Sequence, residues 1–252
     1  MAQSIALTGL DLTLEDVEQV ARHGAHASLG DDARARMAAS RSVIEEVVAA
    51  DELVYGVTTG FGALARTRIG TVDARLLQEH LLLSHAAGVG PDHDRATVRA
   101  MLLLRANTLA RGQSGCRPLV VERLLDFLRL GIHPRVPEQG SVGASGDLAP
   151  LAHLALPLIG RGDVELDGEL VAAGEALERH GLEPLALEPK EGLALLNGTQ
   201  QMTAIGALVL LDAERLLASA TVAAAMATEA LLGTEIAFAE AYQQARPHPG
   251  QA

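Results

Sequence analysis

The sequence predicts a mainly α-helical protein with a mixed amino-terminal region. Helical segments with recognisable ends fill most of residues 13–130, and a clear β-hairpin signal occurs at one place only. A further helix of about thirty residues is predicted after residue 199, a length more usual in helical bundles than in small globular domains. With 252 residues and 48% hydrophobic content, the chain is long enough to bury a sizeable core.

Capping residues define the predicted helices of the first half. Thr13 followed by Asp16 resembles a capping box that begins a helix extending to about Arg22. The helices predicted between this one and the central loop span residues 31–50, 73–87, 95–110 and 118–130. Glycine tolerates the left-handed conformation that often ends a helix, and three such stops are expected, at Gly88, Gly112 and Gly131.

The second half contains one hairpin and one long helix. Asp147 is expected to cap a helix that runs to about Ile159. The segment V-E-L-D-G-E-L-V, residues 164–171, places an Asp-Gly turn between two short alternating runs, which predicts a β-hairpin. After a linker that contains two prolines, the long helix is predicted for residues 200–233.

The long helix includes the most apolar stretch of the chain, residues 202–232. Four charged residues that would be costly inside a bilayer interrupt it: Asp212, Glu214, Arg215 and Glu229. We therefore interpret the stretch as a buried helix of a soluble protein. Residues 1–195 are predicted to form a mainly helical domain that carries the central loop, and residues 196–252 to begin a central helical bundle.

Composition and charge exclude several classes of partner. The net charge of −12, with no cluster of Lys and Arg, argues against binding to nucleic acid or to a membrane surface. The single cysteine, Cys116, excludes an intrachain disulfide, and the first residues lack the features of a signal peptide, so we expect a cytoplasmic protein. His80 and His85 lack the spacing of an H-E-x-x-H motif, and no metal site is predicted.

The central loop, G-S-V-G-A-S-G-D-L-A-P at residues 140–150, does not match two common catalytic motifs. It is not a phosphate-binding loop, because no G-K-[ST] ending is present and no β-branched strand precedes it. A nucleophile elbow, G-x-S-x-G, is nearly matched at Gly143 and Ser145, but Asp147 stands where the second glycine is required. A serine hydrolase is therefore not predicted.

A third interpretation of the loop is that its backbone closes on itself. In Ala144-Ser145-Gly146, a tight turn can press the glycine nitrogen onto the Ala144 carbonyl carbon, because Gly146 has no side chain in the way. Loss of water from this ring, and then from the Ser145 side chain, leaves an exocyclic methylene conjugated to an imidazolone. Taken alone, however, the triad is better explained by an ordinary flexible turn that caps a helix, because Ala-Ser-Gly is a very common sequence.

The surrounding sequence resembles the aromatic amino acid ammonia-lyase family. The stretch G-S-V-G-A-S-G-D-L-A-P-L-A-H is similar to the family signature that contains the triad. Other stretches match in order: Y-G-V-T-T-G-F-G at 55–62, L-L-L-S-H-A-A-G-V-G at 81–90, E-G-L-A-L-L-N-G-T-Q at 191–200 and R-P-H-P-G-Q at 246–251. The resemblance covers essentially the whole chain and implies the helical fold of the ammonia-lyases, which is similar to that of fumarase and aspartase.

The resemblance implies a catalytic role for each of these stretches. The triad would form a methylidene-imidazolone, the electron sink needed because the β-hydrogen of an amino acid is not acidic and an amine leaves poorly. Tyr55 corresponds to a tyrosine that contacts the reacting amino group and can transfer a proton; the alternative is a loop tyrosine that is merely hydrogen-bonded. Asn197 corresponds to the residue that holds the imidazolone oxygen. Gly143 and Asp147 would support the group.

Ser84 and His85 occupy the position of the family's selectivity pair. Tyrosine-type members resemble His-Leu here and phenylalanine-type members Phe-Leu, whereas Ser-His resembles the histidine-type members. A second imidazole beside the substrate ring can exchange hydrogen bonds with it at neutral pH. The resemblance therefore implies a carbon-nitrogen lyase that converts L-histidine to urocanate and ammonia. A phenylalanine or tyrosine lyase, or an aminomutase of the same family, is the alternative.

Members of the family continue beyond R-P-H-P-G-Q with a helical region that carries further residues of the site. We therefore expect this chain to be the amino-terminal part of a longer or cleaved enzyme. Family members build their sites from several subunits of a homotetramer, and exposed apolar faces of residues 200–232 would drive such association. The alternative is an inactive fragment that acts only in oligomerisation.

Overall fold

The structure of the chain, a computed structural model, describes residues 4–60, 69–143 and 145–250. The helices of this part are α1 (Leu14–His23), α2 (Asp31–Ala49), α3 (Thr71–His85), α4 (Arg95–Ala110), α5 (Pro118–Leu130), α6 (Leu148–Ala155), α7 (Ala173–Arg179), α8 (Glu191–Leu196), α9 (Gln200–Ala230) and α10 (Glu240–Ala245). The strands are β1 (Ser4–Leu7), β2 (His26–Leu29), β3 (Val89–Asp92), β4 (His133–Pro134), β5 (Pro137–Gln139), β6 (Asp163–Leu166) and β7 (Glu169–Ala172). Short 3-10 helices span Leu156–Ile159 and Ile236–Phe238. The mainly helical fold class is confirmed.

The strands form small sheets at the edges of the helical core. β1 pairs in parallel with β2, β3 pairs antiparallel with β5, and an antiparallel sheet has the order β4-β6-β7. The predicted hairpin is confirmed as β6 and β7, whose turn residues Asp167 and Gly168 both have the positive φ that a type I′ turn requires. The other strands were not predicted, because they are too short to show an alternating pattern.

Helix ends follow the capping prediction in most places. Thr13 Oγ1 accepts from the Asp16 N–H at 3.1 Å, and the Asp16 carboxylate accepts from the Thr13 N–H at 3.1 Å, so the capping box is confirmed. Gly131 ends α5 in the left-handed conformation, as predicted. The prediction for Gly88 is wrong, because Ala86 already leaves the helical conformation with ψ of 64°. The helix predicted to reach residue 159 changes at Ala155 from α to 3-10 geometry.

Residues 1–208 form a compact unit with α4 at its centre. Met101, Leu102 and Leu103 in α4 have no exposed surface, so three successive residues that point in different directions are all covered by neighbouring elements. Helices α1, α2 and α5 pack against α4. Helices α3, α6 and α8 pack against one another. The predicted site residues lie at their ends: His85 ends α3, Asp147 precedes α6, and Asn197 follows α8.

Residues 209–252 form a second unit, which contains the remainder of α9 and α10. The prediction that residues 202–232 form a buried helix is wrong beyond Leu211, because nearly all the side chains that follow it are exposed. The exposed apolar side chains of this stretch include Leu216, Leu217, Val222 and Met226. The predicted domain boundary at residue 195 stays a prediction. No helix among the described residues has both the length and the hydropathy required to cross a membrane.

Candidate active site

The central loop connects β5 to α6 and exposes Ser145. Gly143 and Gly146 have φ of 67° and 105°, a region that side chains other than glycine rarely adopt. A Cβ on Gly143 would meet no atom within 4 Å, so only the backbone conformation favours glycine there. Ala144, the first residue of the triad, lies outside the described residues.

Gly146 packs directly against the segment that follows α8. A Cβ on Gly146 would overlap the carbonyl oxygen of Gly198 and would lie 2.8 Å from its carbonyl carbon. The N–H of the next residue, Asp147, donates to the same oxygen at 2.7 Å. Position 146 therefore requires glycine for its space as well as its backbone angle, and the structure brings the triad's last residue against Asn197-Gly198.

The predicted cap of α6 by Asp147 is wrong, because this side chain makes no hydrogen bond to the first turn of α6. The buried carboxylate instead accepts from Ser141 Oγ at 2.8 Å through Oδ1 and from the Met202 N–H at 3.0 Å through Oδ2. Met202 lies in the first turn of α9, whose free N–H groups and dipole favour a negative charge. Asp147 therefore caps the long helix from a distant part of the chain and holds the central loop to it.

The beginning of α8 is anchored by two buried side chains. Gln78 of α3 accepts from the Gly192 N–H at 3.0 Å, and a Cβ on Gly192 would lie 2.7 Å from the Gln78 carbonyl oxygen. Glu191 accepts from Arg117 Nε at 2.8 Å and from Arg117 Nη2 at 2.7 Å. Neither Gln78 nor Glu191 has exposed surface. These contacts fix α8, and hence the Asn197 segment at its other end.

The end of α8 is held by Arg105, a buried residue of α4. Its guanidinium donates to the carbonyl oxygens of Ala194 and Asn197, the latter at 3.2 Å, and to Gln200 Oε1 at 2.7 Å. A Cβ on Gly198 would overlap the same guanidinium. Burial lowers the pKa of Arg105 to about 10, so the side chain keeps its charge at neutral pH. The exposed Asn197 side chain thus projects from a backbone that a buried cation fixes.

Ser84 and His85 lie in the last turn of α3. His85 Nδ1 is 2.8 Å from the Leu81 carbonyl oxygen, and Ser84 Oγ donates to the same oxygen at 3.1 Å. Because a carbonyl only accepts, this contact assigns the proton of the neutral ring to Nδ1 and leaves Nε2 as an acceptor. The pair therefore presents a hydroxyl and an imidazole acceptor held by the helix itself.

The end of α3 is tied to the beginning of the central loop. Val89 in β3 is paired with Gln139 in β5, directly before the loop. A Cβ on Gly140 would lie 3.1 Å from the Gly88 Cα, so the two backbones are in close contact. The selectivity pair lies just before β3 and the triad lies just after β5, so one two-stranded sheet connects the two segments.

Tyr55 lies in a turn whose following threonines are buried. The Val54 N–H donates to Thr58 Oγ1 at 2.9 Å, and the Gly56 N–H donates to Thr59 Oγ1 at 3.3 Å. The Tyr55 side chain is exposed. Phe61 and Gly62, which complete this motif, lie outside the described residues. The role of Tyr55 beside the triad stays a prediction.

Comparison with known proteins identifies the family of this chain. A family model described as aromatic amino acid lyase matches residues 12–252. The chain belongs to this aromatic amino acid lyase family. The histidine ammonia-lyase of Sorangium cellulosum is 52% identical over 249 residues, which are 98% of this chain and 48% of that protein. The histidine ammonia-lyase of Anaeromyxobacter dehalogenans is 52% identical over 99% of this chain and 50% of its own length.

Solved structures similar to this aromatic amino acid lyase chain have the same fold. Histidine ammonia-lyase from Trypanosoma cruzi has a TM-score of 0.91 and 38% identity, over 99% of this chain and 48% of that chain. Tyrosine aminomutase from Streptomyces globisporus has a TM-score of 0.91 and 40% identity, over 99% of this chain and 47% of that chain. The ammonia-lyase fold is therefore confirmed. The chain spans about half the length of the curated relatives it matches.

Two buried residues that support the candidate site were not identified from sequence. Gln78 and Arg105 hold the two ends of α8, yet no motif marks them. The available signal for Arg105 was its place in the apolar run L-L-L-R-A-N, since an arginine is rarely buried without partners. Among the described residues, no group of three or more His, Cys, Asp or Glu side chains is arranged to hold a metal ion.

Proposed function

We propose that this chain is the amino-terminal half of a histidine ammonia-lyase, which eliminates ammonia from L-histidine and releases urocanate. Relatives that are about half identical to the chain carry that name. The Ser84-His85 pair, which the resemblance associates with histidine-type members, supports the same substrate. Non-oxidative elimination needs no external electron acceptor, because urocanate and ammonia together contain all the atoms of histidine.

The prosthetic group of the proposed enzyme forms from the triad itself. The Gly146 nitrogen bonds to the Ala144 carbonyl carbon and one water leaves; a second water leaves from the Ser145 side chain, which gives the methylidene-imidazolone. The observation that carries this proposal is the packing of Gly146, where a Cβ would overlap the Gly198 carbonyl oxygen. The described residues fit the group, because a bent backbone without a side chain at 146 is what the ring closure requires.

The residues around the triad would hold the group and the substrate in place. When present, the group supplies an electrophilic electron sink for the elimination. Asn197 would hold the imidazolone oxygen by donating from its amide nitrogen, a role like that of an oxyanion hole. Gly143 gives the loop its left-handed turn, and Asp147 binds the end of the loop to α9.

The substrate is positioned by residues from two other motifs. His85 Nε2 would accept a hydrogen bond from the substrate imidazole, with the Ser84 hydroxyl beside it. Tyr55 would contact the reacting amino group and take part in proton transfer.

The proposed enzyme is a cytoplasmic homotetramer whose small-molecule substrate is L-histidine. Apolar side chains exposed along residues 209–232 support association with further helices or subunits. The net charge of −12 favours neither nucleic acid nor an anionic membrane as a partner. The remaining half of the relatives' length would supply the rest of the site.

Intact mass and product formation test this function in the complete polypeptide that carries this sequence. The wild-type mass should be lower than the sequence mass by two waters, whereas Ser145→Ala should lack that loss. Urocanate should accumulate, by its ultraviolet absorbance, with wild type and not with Ser145→Ala. An unchanged wild-type mass, or equal activity of the two proteins, would show that the triad is not the electrophile and would favour a fragment that acts only in oligomerisation.

The tyrosine aminomutase with 40% identity supports a second candidate within the same family. Incubation with histidine, tyrosine and phenylalanine, followed by NMR of the products, separates an unsaturated acid from a β-amino acid. A protein that prefers tyrosine, or that returns a β-amino acid, would replace the proposed histidine lyase by this candidate. The double substitution Ser84→Phe and His85→Leu should lower kcat/KM for histidine by about 100-fold, because the substrate imidazole loses its two proposed hydrogen-bond partners.

A further inference from the structure

A half-buried histidine of α6, His153, binds the backbone just beyond the selectivity pair. Its Nε2 accepts a hydrogen bond from the Gly88 N–H at 3.0 Å. Because a backbone N–H only donates, Nε2 carries no proton, and the neutral ring has its proton on Nδ1. Burial, aided by Arg135 and opposed by Asp92, lowers the pKa of His153, which keeps the ring neutral at neutral pH.

The three residues that connect His85 to β3 each use their N–H in a described hydrogen bond. The Ala86 N–H donates to the Leu82 carbonyl at 3.1 Å, and the Ala87 N–H donates to the His85 carbonyl at 2.8 Å. These two bonds are internal to the end of α3. The Gly88 bond alone among these three joins the segment to a side chain of another helix.

The Gly88 backbone is enclosed as well as hydrogen-bonded. A Cβ there would lie 3.1 Å from the Pro137 Cβ and 3.2 Å from His153 Nε2. Gly140, at the beginning of the central loop, packs against Gly88 from the other side. A small movement of the His153 ring would therefore be passed to the Gly88 backbone, which has little free space.

One short helix connects this contact to the triad. α6 spans Leu148–Ala155, so it begins directly after Gly146-Asp147 and carries His153 near its other end. The residue before it is fixed by the Asp147 N–H bond to Gly198, and the neighbours of His153 in its last turn, Ala152, Leu154 and Ala155, are buried. The helix therefore sets the distance from the triad to the backbone that carries Ser84 and His85.

We infer that His153 is a positioning residue for substrate selectivity: its neutral ring holds the Gly88 backbone and so fixes the selectivity pair relative to the triad. The inference rests on the proposed function, because selectivity by Ser84 and His85 is part of that proposal. The hydrogen bond itself does not depend on the reaction, and it is measured separately.

The hydrogen bond is tested by NMR on the 252-residue chain. The ¹⁵N shifts of the His153 ring should show Nδ1 protonated and Nε2 unprotonated. Amide exchange at Gly88 should become about tenfold faster in His153→Leu, the factor expected for one lost hydrogen bond of about 1.4 kcal/mol. His153→Gln keeps an acceptor at the position of Nε2 and should stay close to wild type. Equal exchange rates in wild type and His153→Leu would overturn the inference.

The positioning role is tested by kinetics of the complete enzyme. His153→Leu should raise KM for histidine by about tenfold with a smaller change in kcat, and His153→Gln should restore KM. Val164→Ala is the control. It creates a cavity beneath the hairpin sheet and should lower the melting temperature without raising KM.

Two failures of this kinetic test have different meanings. A His153→Leu enzyme with wild-type KM and wild-type substrate preference would refute the positioning role while leaving the proposed function intact. A wild-type enzyme that deaminates no amino acid would refute the proposed function, and the selectivity role would fail with it. In that case the Gly88 exchange rates would still report on the hydrogen bond.

Discussion

The Asp147 carboxylate accepts a hydrogen bond from the Met202 N–H at 3.0 Å, although 55 positions separate the two residues in the sequence. Asp147 directly follows the triad, and Met202 lies in the first turn of the long helix α9. The same carboxylate accepts from Ser141 Oγ within the central loop. The loop proposed to form the prosthetic group and the helix proposed to enter a bundle are therefore joined by one buried charge.

Replacement of Asp147 by alanine should destabilise the first unit of the chain. It removes a helix cap and leaves the Met202 N–H without its acceptor, so the free energy of unfolding should fall by about 2 kcal/mol. Urea unfolding measures the loss. Thr13→Ala, which removes the exposed cap of α1, is the matched control and should cost about 1 kcal/mol. If the two variants are equally stable, the buried cap is not what holds α9.

Replacement of Gly146 by alanine should be much more damaging than the same change at Gly143. Both glycines have positive φ, which costs a side chain about 1–2 kcal/mol. Only at Gly146 would the new Cβ also overlap a backbone atom, the Gly198 carbonyl oxygen. Gly146→Ala should therefore unfold at clearly lower urea concentration and should fail to lose the two waters by mass. Similar midpoints for both variants would contradict the described packing.

Replacement of Arg105 by lysine should weaken the fixation of Asn197. Lysine keeps a charge but presents a single ammonium in place of the planar fork that reaches Ala194, Asn197 and Gln200. We expect a loss of about 2 kcal/mol in unfolding free energy, and about a tenfold lower kcat in the complete enzyme. The exposed Arg129→Lys is the control and should change neither quantity. A fully active and stable Arg105→Lys protein would contradict this role.

Stability should fall with acid below pH 6.5 because of His133. Burial is the largest cause that lowers the pKa of this histidine to about 4, with Arg99 and Arg95 in the same direction and Glu165 opposed. The unfolded chain, with the ordinary value of 6.5, therefore binds the proton first as the pH falls. The free energy of unfolding should decrease by about 2 kcal/mol between neutral pH and pH 4.5 from this group.

Urea unfolding at a series of pH values checks the His133 prediction. His133→Asn should flatten the slope between pH 6.5 and 4.5, whereas His26→Asn, at an exposed position, should leave it unchanged. A slope that is the same in wild type and His133→Asn would show that the buried ring is not the group that titrates.

Predictions from sequence succeeded where the interacting groups are close along the chain. The capping box of Thr13, the Asp167-Gly168 turn and the stop at Gly131 each depend on hydrogen bonds or backbone angles within a few residues. The family motifs likewise identified the fold, because each motif is a short contiguous stretch of sequence that is recognised without any tertiary contact. The Gly88 stop was wrong because the helix ends at His85, two residues before Ala87, and the Gly88 N–H instead donates to a side chain of another helix, His153.

The sequence by itself determined that the chain is mainly helical, that it carries the motifs of the aromatic amino acid lyases, and that positions 143 and 146 are glycine. Only the tertiary structure decided what these glycines meet, where the Asp147 carboxylate binds, and that Arg105 and Gln78 hold α8. The reason is physical: a buried polar group must find a partner, and the packing of distant helices decides which one is within reach.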